Sequence, residues 1–300
     1  MEKIVMNRKT VTAYVLVILA AVGFGLQPLL ANIVYGYGIG PVMLAWLRVA
    51  CMCPIFLILS LLKRQKLAVG LRPVLKCAFL GLMGAVLTTA FLFNAYRMID
   101  TSVATILNFT YPVFVLVLGI VIYREKADIK QVLALIICIA GIILVCGKGG
   151  NISFAGAALA LGSGITYGIY ILYLDKSRII DEIGFFSFSF WFFLMSAVML
   201  LPIAAFGGEF SLRISAEGWL WVIIFSLDGG IIATTFLSYG INIVGGVRSA
   251  IIGALEPVTS VIAGVLAFDE VLTGLKILGI VLIIAATVVV ILPGKEKAAR

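Results

Sequence analysis

A succession of apolar runs, each long enough to cross a bilayer, constrains the fold of this chain more than any other feature. About 20 predominantly apolar residues make one helical crossing, because the hydrocarbon core of a bilayer is about 30 Å thick. The runs predict ten transmembrane helices, at 11–34, 41–62, 74–96, 101–123, 129–147, 152–174, 183–206, 217–241, 246–268 and 272–292. Since the loops between them are short, consecutive helices are expected to be antiparallel neighbours.

The composition excludes a soluble protein. Hydrophobic residues make up 63% of the 300 residues and charged residues 12%, against about 45–50% apolar and about 25% charged in soluble domains. The chain has no histidine, and its five cysteines lie in apolar runs, so almost no ligands are available for zinc or haem. We therefore predict an all-α polytopic membrane protein that has no cofactor, no metal site and no catalytic residue, and that is not an enzyme.

Positively charged residues predict the orientation of the chain in the membrane. With ten spans, about 17 Lys and Arg residues fall on the side of the N-terminus and 4 on the opposite side, while Arg48 lies inside a span. Cytoplasmic loops carry such an excess, so both termini are predicted to be cytoplasmic, in a multi-pass protein of the inner (plasma) membrane. This orientation explains the net charge of +8, and no nucleic-acid partner is expected.

The second half of the chain repeats the first at an offset of about 145 residues. The segment Phe91–Gly141 aligns without a gap to Phe236–Ala286, and Pro112 coincides with Pro257. Each proline lies within an apolar run, where it removes a backbone hydrogen bond and breaks the helix. Both prolines are therefore predicted to expose backbone carbonyl groups within the membrane.

The repeat also predicts how the chain is divided. The boundaries 1–148 and 149–300 give each half five helices. Five is an odd number, so the second half enters the membrane from the opposite side, and the halves form inverted-topology repeats. Such repeats build secondary transporters, whose binding site lies between the repeats near the bilayer midplane. One half is expected to rock against the other and to expose the site to each side in turn.

Two strings carry a resemblance to a known family. The run NAYRMIDTSVATILNFTYPVFVLVLGIVIYREK and its counterpart GALEPVTSVIAGVLAFDE resemble the EamA-type domain of the drug/metabolite transporter superfamily. Members have a proline, a glycine and an acidic residue in this order once per half. The resemblance covers about 10–292. It implies a ten-helix, basket-like carrier of small metabolites with cytoplasmic termini.

Single residues also match the pattern of this family. Glu256 stands in its common Leu-Glu-Pro form, and the aromatic-Gly pairs that begin at Phe24 and Tyr167 stand in the first helix of each half. Arg48 matches an arginine that the family often carries in its second helix. Asp228 departs from the pattern, so a role for it is inferred from its chemistry alone.

Three ionisable residues, Arg48, Asp228 and Glu256, lie within predicted spans. An unpaired charge at the centre of a membrane helix costs at least about 2.5–3.5 kcal/mol, so each is expected to have a partner or a polar surrounding. In the functional interpretation, Glu256 or Asp228 binds a substrate amine or carries a proton, and Arg48 holds a substrate carboxylate. In the structural interpretation, Arg48 pairs with an acid or a backbone carbonyl and fixes helix packing.

Uncharged polar side chains within the spans add further candidates for substrate binding. Such groups either bond across helices or line a cavity. The candidates are Gln27, Asn94, Asn108, Tyr111 and Tyr167. Asn108 and Tyr111 precede the proline of the first half, so we expect them to line the cavity.

These features predict a secondary transporter that works by alternating access. Its expected substrates are small organic metabolites, above all amino acids or related amphiphilic compounds, exported by proton exchange or facilitated diffusion. A sugar-phosphate or nucleotide-sugar exchanger is an alternative, although only one cation, Arg48, lies in a span. A membrane-embedded enzyme, a channel and a scaffold are alternatives of other classes. The expected partners are the small-molecule substrate and membrane lipid, and a monomer is compatible with the sequence.

Overall fold

The computed structural model describes residues 7–99, 101–126, 128–146, 153–206, 212, 214–268 and 273–292. Within these ranges the chain is helical and contains no β-strand. It forms ten spans, labelled α1 to α10 in chain order: Arg8–Tyr35, Pro41–Leu62, Leu71–Tyr96, Val103–Tyr123, Ile129–Cys146, Phe154–Ser177, Phe185–Phe206, Ala216–Val244, Gly246–Ala267 and Gly274–Ile291. Nine of these described helices are long and apolar enough to cross a membrane, and α5 is a shorter apolar helix. The predicted all-α, ten-helix membrane fold is confirmed.

Consecutive spans are joined by short connections and run in opposite directions. We call the membrane side at which α1 begins, at Arg8, the near end, and the side at which it ends, at Tyr35, the far end. A short helix, Ile179–Ile183, joins α6 to α7 at the near end. Exposed apolar side chains recur every fourth residue on α1, at Val11, Val15 and Leu19, which forms the continuous apolar face expected of a helix against lipid.

Local side-chain contacts explain where several helices begin. The Ser153 hydroxyl accepts a hydrogen bond from the Gly156 N–H at 3.1 Å, and the Ser215 hydroxyl accepts one from the Gly218 N–H at 3.1 Å. These N-caps satisfy backbone donors that have no partner within the first turn. At α2, Pro41 occupies the first helical position, where its missing N–H costs nothing.

The helices α4 and α9 are both interrupted in mid-membrane. In α4, the segments Thr101–Asn108 and Tyr111–Tyr123 are separated by a two-residue turn, and Pro112 is the second residue after this turn. In α9, the segments Gly246–Gly253 and Leu255–Phe268 are separated at one residue, three positions before Pro257. Because proline has no N–H to donate, the helical hydrogen-bond ladder is broken at these points.

The helices α3 and α8 share a second irregularity, a π-helical stretch. It covers Leu82–Leu87 in α3 and Asp228–Thr235 in α8. At each stretch a threonine hydroxyl donates to the carbonyl five residues earlier: Thr88 to Met83 at 2.7 Å and Thr235 to Gly230 at 2.6 Å. A π-turn widens the helix and is frequent at functional sites.

The first helix of each sequence half packs against helices of the other half. The first helix of the chain, α1, packs against α8 and α9, whereas α6 packs against α3 and α4. We call α1, α8 and α9 the first bundle, and α3, α4 and α6 the second bundle. Each bundle therefore combines one helix of one half with two of the other.

Two further helix pairs join the bundles along their sides. The helix α2 packs against α7, and the Trp46 indole N–H donates to the Ala197 carbonyl at 3.1 Å across this pair. The helix α5 packs against α10. A side chain on Gly141 would place its Cβ 2.8 Å from the Gly279 carbonyl oxygen, so the backbones of α5 and α10 approach closely only because both residues are glycine.

Candidate functional site

Three of the predicted site residues meet around Gly229, at the start of the π-helical stretch of α8. The Gln27 amide of α1 donates to the Asp228 carboxylate at 2.6 Å. A Cβ on Gly229 would lie 2.7 Å from Cδ of Arg48 and 2.7 Å from Oε1 of Gln27. The glycine thus allows an arginine, an amide and a carboxylate from three helices to share one small volume.

The polar groups of this cluster are only partly satisfied by the protein. Oε1 of Gln27 is buried and accepts no hydrogen bond from the residues that the structure describes. Within the same residues, the Arg48 guanidinium forms no hydrogen bond and no ion pair. A guanidinium carries five N–H donors in a planar fork. Arg48 therefore offers donors whose geometry suits a carboxylate.

A small cavity of about 40 Å³ adjoins Arg48. Aromatic rings from α1, α6 and α7 form much of its wall, and residues of both π-helical stretches complete it. The lining residues are Phe24, Arg48, Val49, Gly84, Ala85, Tyr167, Tyr170, Phe192, Phe193, Thr234 and Leu237. A space of this size holds water molecules but no organic metabolite. Binding a metabolite here therefore requires the helices to move apart.

A ladder of tyrosines leads from this cavity to Glu256. The ring of Tyr167 packs edge-on against Tyr111, with centroids 4.9 Å apart, and stacks on Tyr170 at 5.7 Å. Tyr167 interacts electrostatically with both Arg48 and Glu256. The predicted residues therefore form two polar groups, Arg48 with Asp228 and Glu256 with Tyr111, and Tyr167 connects them.

Glu256 lies in the first turn of the second segment of α9, directly after the helix break. Among the described residues its carboxyl group has no ion pair and no hydrogen bond. A crevice of about 280 Å³ between α1 and α9 lies on the far-end side of Glu256, bordered by Pro28 and Asn32 of α1 and by Ser260 of α9. Gly25 also lines this crevice, and a Cβ there would lie 2.6 Å from the Glu256 backbone oxygen, so the crevice ends beside the Glu256 backbone.

Two predicted site residues lie outside these groups. Oδ1 of Asn108 accepts a hydrogen bond from the Ser163 hydroxyl at 2.8 Å, which joins α4 to α6 within the second bundle. Asn94 is exposed near the far end of α3, and its amide donates to the Ala90 carbonyl of the same helix at 2.8 Å. The structure therefore does not bring Asn94 or Asn108 to Arg48 and Asp228.

Sequence reasoning missed part of the cavity wall. Phe192 and Phe193 belong to the run FFSFSFWFF, in which aromatic residues occupy every face of the helix, so no periodicity separates the cavity side from the lipid side. The π-helical stretches were also missed. The glycines at 229 and 230 and the threonines at 234 and 235 are the signal that could have suggested a weakened helix in α8.

Comparison with known proteins places this architecture in a family. The model of the EamA-like transporter family matches the chain twice, at residues 11–147 and 154–292. The chain belongs to the EamA-like transporter family. Its family and its relatives support the sequence-based prediction of a multi-pass membrane transporter.

Two curated relatives carry the name of an uncharacterized transporter. An uncharacterized transporter of Synechocystis is 27% identical over 213 residues, which cover 69% of this chain and 62% of that protein. The uncharacterized inner membrane transporter YedA of Escherichia coli K12 is 27% identical over 255 residues, which cover 84% of this chain and 82% of that protein. A solved crystal structure superposes on 93% of this chain and 96% of its own with a TM-score of 0.75 at 18% identity, so the fold is shared.

Replacing Gln27 by methionine is expected to lower the free energy of unfolding by about 1–2 kcal/mol, because a hydrogen bond to a charged group contributes about 1.5–3 kcal/mol and such bonds are weaker between membrane helices. Thermal unfolding of the purified protein in detergent measures this loss. The matched control is Asn94→Ala, which removes an amide that bonds only within its own helix. Equal destabilisation by both variants would contradict the importance of the Gln27–Asp228 contact.

Proposed function

We propose that this protein is a secondary transporter of small organic metabolites, namely amino acids and related amphiphilic compounds, and that it works by alternating access. The observation that carries this proposal is the Arg48 guanidinium, which lies near the Asp228 carboxylate at a cavity between the bundles and forms no hydrogen bond and no ion pair among the described residues. An unpaired charge at this depth is costly, and an anionic group of a substrate would offset that cost.

The chemistry of the site matches the three parts of an amino acid. Arg48 would hold the carboxylate through paired N–H donors. Asp228 would accept hydrogen bonds from the ammonium group, while Gln27 orients its carboxylate. The aromatic walls formed by Phe192 and Phe193 would surround the apolar side chain. A phosphate-bearing substrate is disfavoured, because no second cation lines the described cavity.

The proposed mechanism uses two inverted five-helix repeats, 1–148 and 149–300, with both termini in the cytoplasm. Three observations support the repeats: the family model matches twice, α4 and α9 break at equivalent prolines, and α3 and α8 carry π-helical stretches at equivalent places. The excess of Lys and Arg in the near-end loops supports the orientation. In this orientation the crevice beside Glu256 faces the outside of the cell, which suits release during export.

Glu256 is the proposed proton carrier. Its carboxyl group has no protein partner among the described residues, and it is separate from Arg48 and Asp228, so it can change its protonation state without disturbing substrate recognition. The crevice beside the Glu256 backbone offers a route for the proton. Facilitated diffusion is the alternative, in which Glu256 has no coupling role.

Tracer flux in liposomes tests this function. Purified protein is reconstituted, and uptake from a mixed amino-acid pool is measured with and without a pH gradient, for the unchanged chain and for Glu256→Gln. We expect saturable uptake that responds to the gradient, and loss of that response in the variant because an amide cannot carry the proton. Glu217→Gln, at the exposed far-end start of α8, is the matched control and should keep the response.

Each other outcome of this experiment contradicts one part of the proposal. Saturable uptake that ignores both the gradient and the variant would contradict proton coupling and identify a facilitator. Absence of uptake from the pool would contradict amino acids as the substrate class. Chemical conversion of the pool, followed by mass spectrometry, would contradict a carrier and favour a membrane-embedded enzyme.

A further inference from the structure

Each bundle is held together by polar contacts between its own helices. In the first bundle, Gln27 donates to Asp228. In the second bundle, the hydroxyl groups of Thr88 and Thr166 lie 2.9 Å apart. These contacts join helices that pack along much of their length, and they can persist when one bundle moves relative to the other.

Three other hydrogen bonds start on one bundle and end outside it. Two of them reach the other bundle, and the third reaches the short near-end helix. The hydroxyl groups of Tyr170 in α6 and Ser238 in α8 lie 3.0 Å apart. The Tyr111 hydroxyl of α4 donates to the Ala250 carbonyl of α9 at 3.2 Å. The Asn242 amide of α8 donates to Asp181 of the short near-end helix at 3.2 Å.

The three connections lie between the middle of the membrane, where Tyr111 begins the second segment of α4, and the near end. Tyr170 is in the last two turns of α6, Ser238 and Asn242 are in the last two turns of α8, and Ala250 is in the first segment of α9. Toward the far end, the second segment of α9 packs against α1, α5 and α10 and borders the crevice. The three hydrogen bonds therefore join the bundles on the near-end side, whereas the crevice lies within the first bundle, toward the far end.

The direction of the Tyr170 hydrogen bond follows from the local geometry. The Ser238 hydroxyl donates its only proton to the Thr234 carbonyl at 2.8 Å. Ser238 must therefore accept the proton of Tyr170, whose ring also forms part of the cavity wall. Both Tyr170 and Tyr111 thus act as donors from the second bundle to acceptors on the first.

We propose that Tyr170 and Tyr111 form the near-end gate of this transporter, as residues that hold the bundles together through their phenol groups and release them when the cavity opens to the near end. This inference rests on the alternating-access mechanism proposed above. The sequence led us to expect that one sequence half rocks against the other. Here the moving parts are instead the first and the second bundle. The ring of Tyr111 also packs against Tyr167, so a substrate that displaces Tyr167 would disturb the gate.

The proposal predicts that loss of one phenol group shifts the conformational equilibrium. A neutral hydrogen bond makes a modest net contribution, so Tyr170→Phe and Tyr111→Phe should each raise the ratio of near-end-open to near-end-closed molecules roughly 2- to 12-fold. Each variant keeps the ring and its packing. The double variant Tyr170→Phe with Ser238→Ala should shift the ratio no further than the stronger single variant, because both remove the same bond.

Double electron–electron resonance measures this ratio without any substrate. Spin labels are placed at position 123, the near-end terminus of α4, and at position 248, near the start of α9, in protein whose native cysteines have been replaced. The purified protein is studied in lipid nanodiscs. The matched control is Tyr173→Phe, because Tyr173 lies on α6 one turn from Tyr170 and packs against Phe79 of the same bundle at 4.8 Å.

The expected result is a larger long-distance population in both gate variants and an unchanged distribution in Tyr173→Phe. Unchanged distributions in both gate variants would overturn the proposal. An equal increase in Tyr173→Phe would also overturn it, since the effect would then come from general loosening of α6. The measurement needs no substrate, so its failure would leave the proposed substrate class untouched, and failure of the flux experiment would leave the gate untouched.

Discussion

Replacing Arg48 by methionine is expected to raise the amino-acid concentration for half-maximal uptake about 10- to 150-fold, because hydrogen bonds to charged groups contribute about 1.5–3 kcal/mol. The guanidinium is the cation at the cavity, and methionine keeps much of its length while removing the charge and all five donors. Flux in liposomes over a range of amino-acid concentrations measures the change. The half-saturation concentration of Arg48→Lys should lie between those of the unchanged protein and of Arg48→Met, since an ammonium group keeps the charge but not the planar fork.

The stability of the same variant separates the functional from the structural interpretation of Arg48. Because the guanidinium forms no hydrogen bond and no ion pair among the described residues and interacts with Asp228 only electrostatically, its removal breaks no direct contact. The thermal midpoint should therefore change little, since relief of the buried cation offsets the lost attraction to Asp228. A large fall in the midpoint with unchanged half-saturation would show that Arg48 fixes helix packing. Arg97→Met, at the exposed far end of α3, is the matched control and should change neither quantity.

Replacing Gly25 by valine is expected to lower the free energy of unfolding by about 3 kcal/mol or more. Overpacking a well-packed core usually costs about 1–3 kcal/mol, and this position leaves very little space. A Cβ at this position would lie 2.5 Å from Cβ of Thr259 and 2.6 Å from the backbone oxygen of Glu256. Neither atom belongs to a flexible side-chain end, so α1 and α9 would have to separate. The measurements are the monodisperse fraction after purification and the thermal midpoint in detergent.

The control for Gly25 is Gly274→Ala at the start of α10, where a Cβ meets no atom within 4 Å. This variant should purify and unfold as the unchanged protein does. Any Gly25→Val protein that does fold should also lose proton-responsive flux, because the displaced α9 carries Glu256 away from the crevice. Normal stability and normal flux in Gly25→Val would contradict the close packing of α1 on α9.

The sequence predicted the ten helices because bilayer thickness imposes a length on every apolar run. Their ends were less accurate. The helix α3 begins at Leu71 and not at 74, and α8 continues to Val244 and not to 241. The hydrogen-bond ladder of a helix extends beyond the most apolar residues into the interfacial region, where hydropathy gives no boundary.

The sequence also identified the chemistry of the site but not its arrangement. Arg48, Asp228 and Glu256 stood out because ionisable residues are rare within spans. Nothing in the sequence showed that Arg48 lies beside Asp228 and apart from Glu256. Asn94 has the same amide chemistry as Gln27, yet one is exposed and the other holds Asp228, and only the rotation of each helix decides between them.

The sequence by itself determined that the chain is a ten-helix membrane protein with charges inside the membrane and two prolines at equivalent depths. These properties depend on run length, composition and spacing, which are local. The tertiary structure alone decided that α1 packs with α8 and α9 and that α6 packs with α3 and α4. The cavity therefore lies between the first and the second bundle. This could not be predicted because lipid is as apolar as the helix surfaces, and partner choice rests on close packing of small residues and on a few polar contacts between distant parts of the chain.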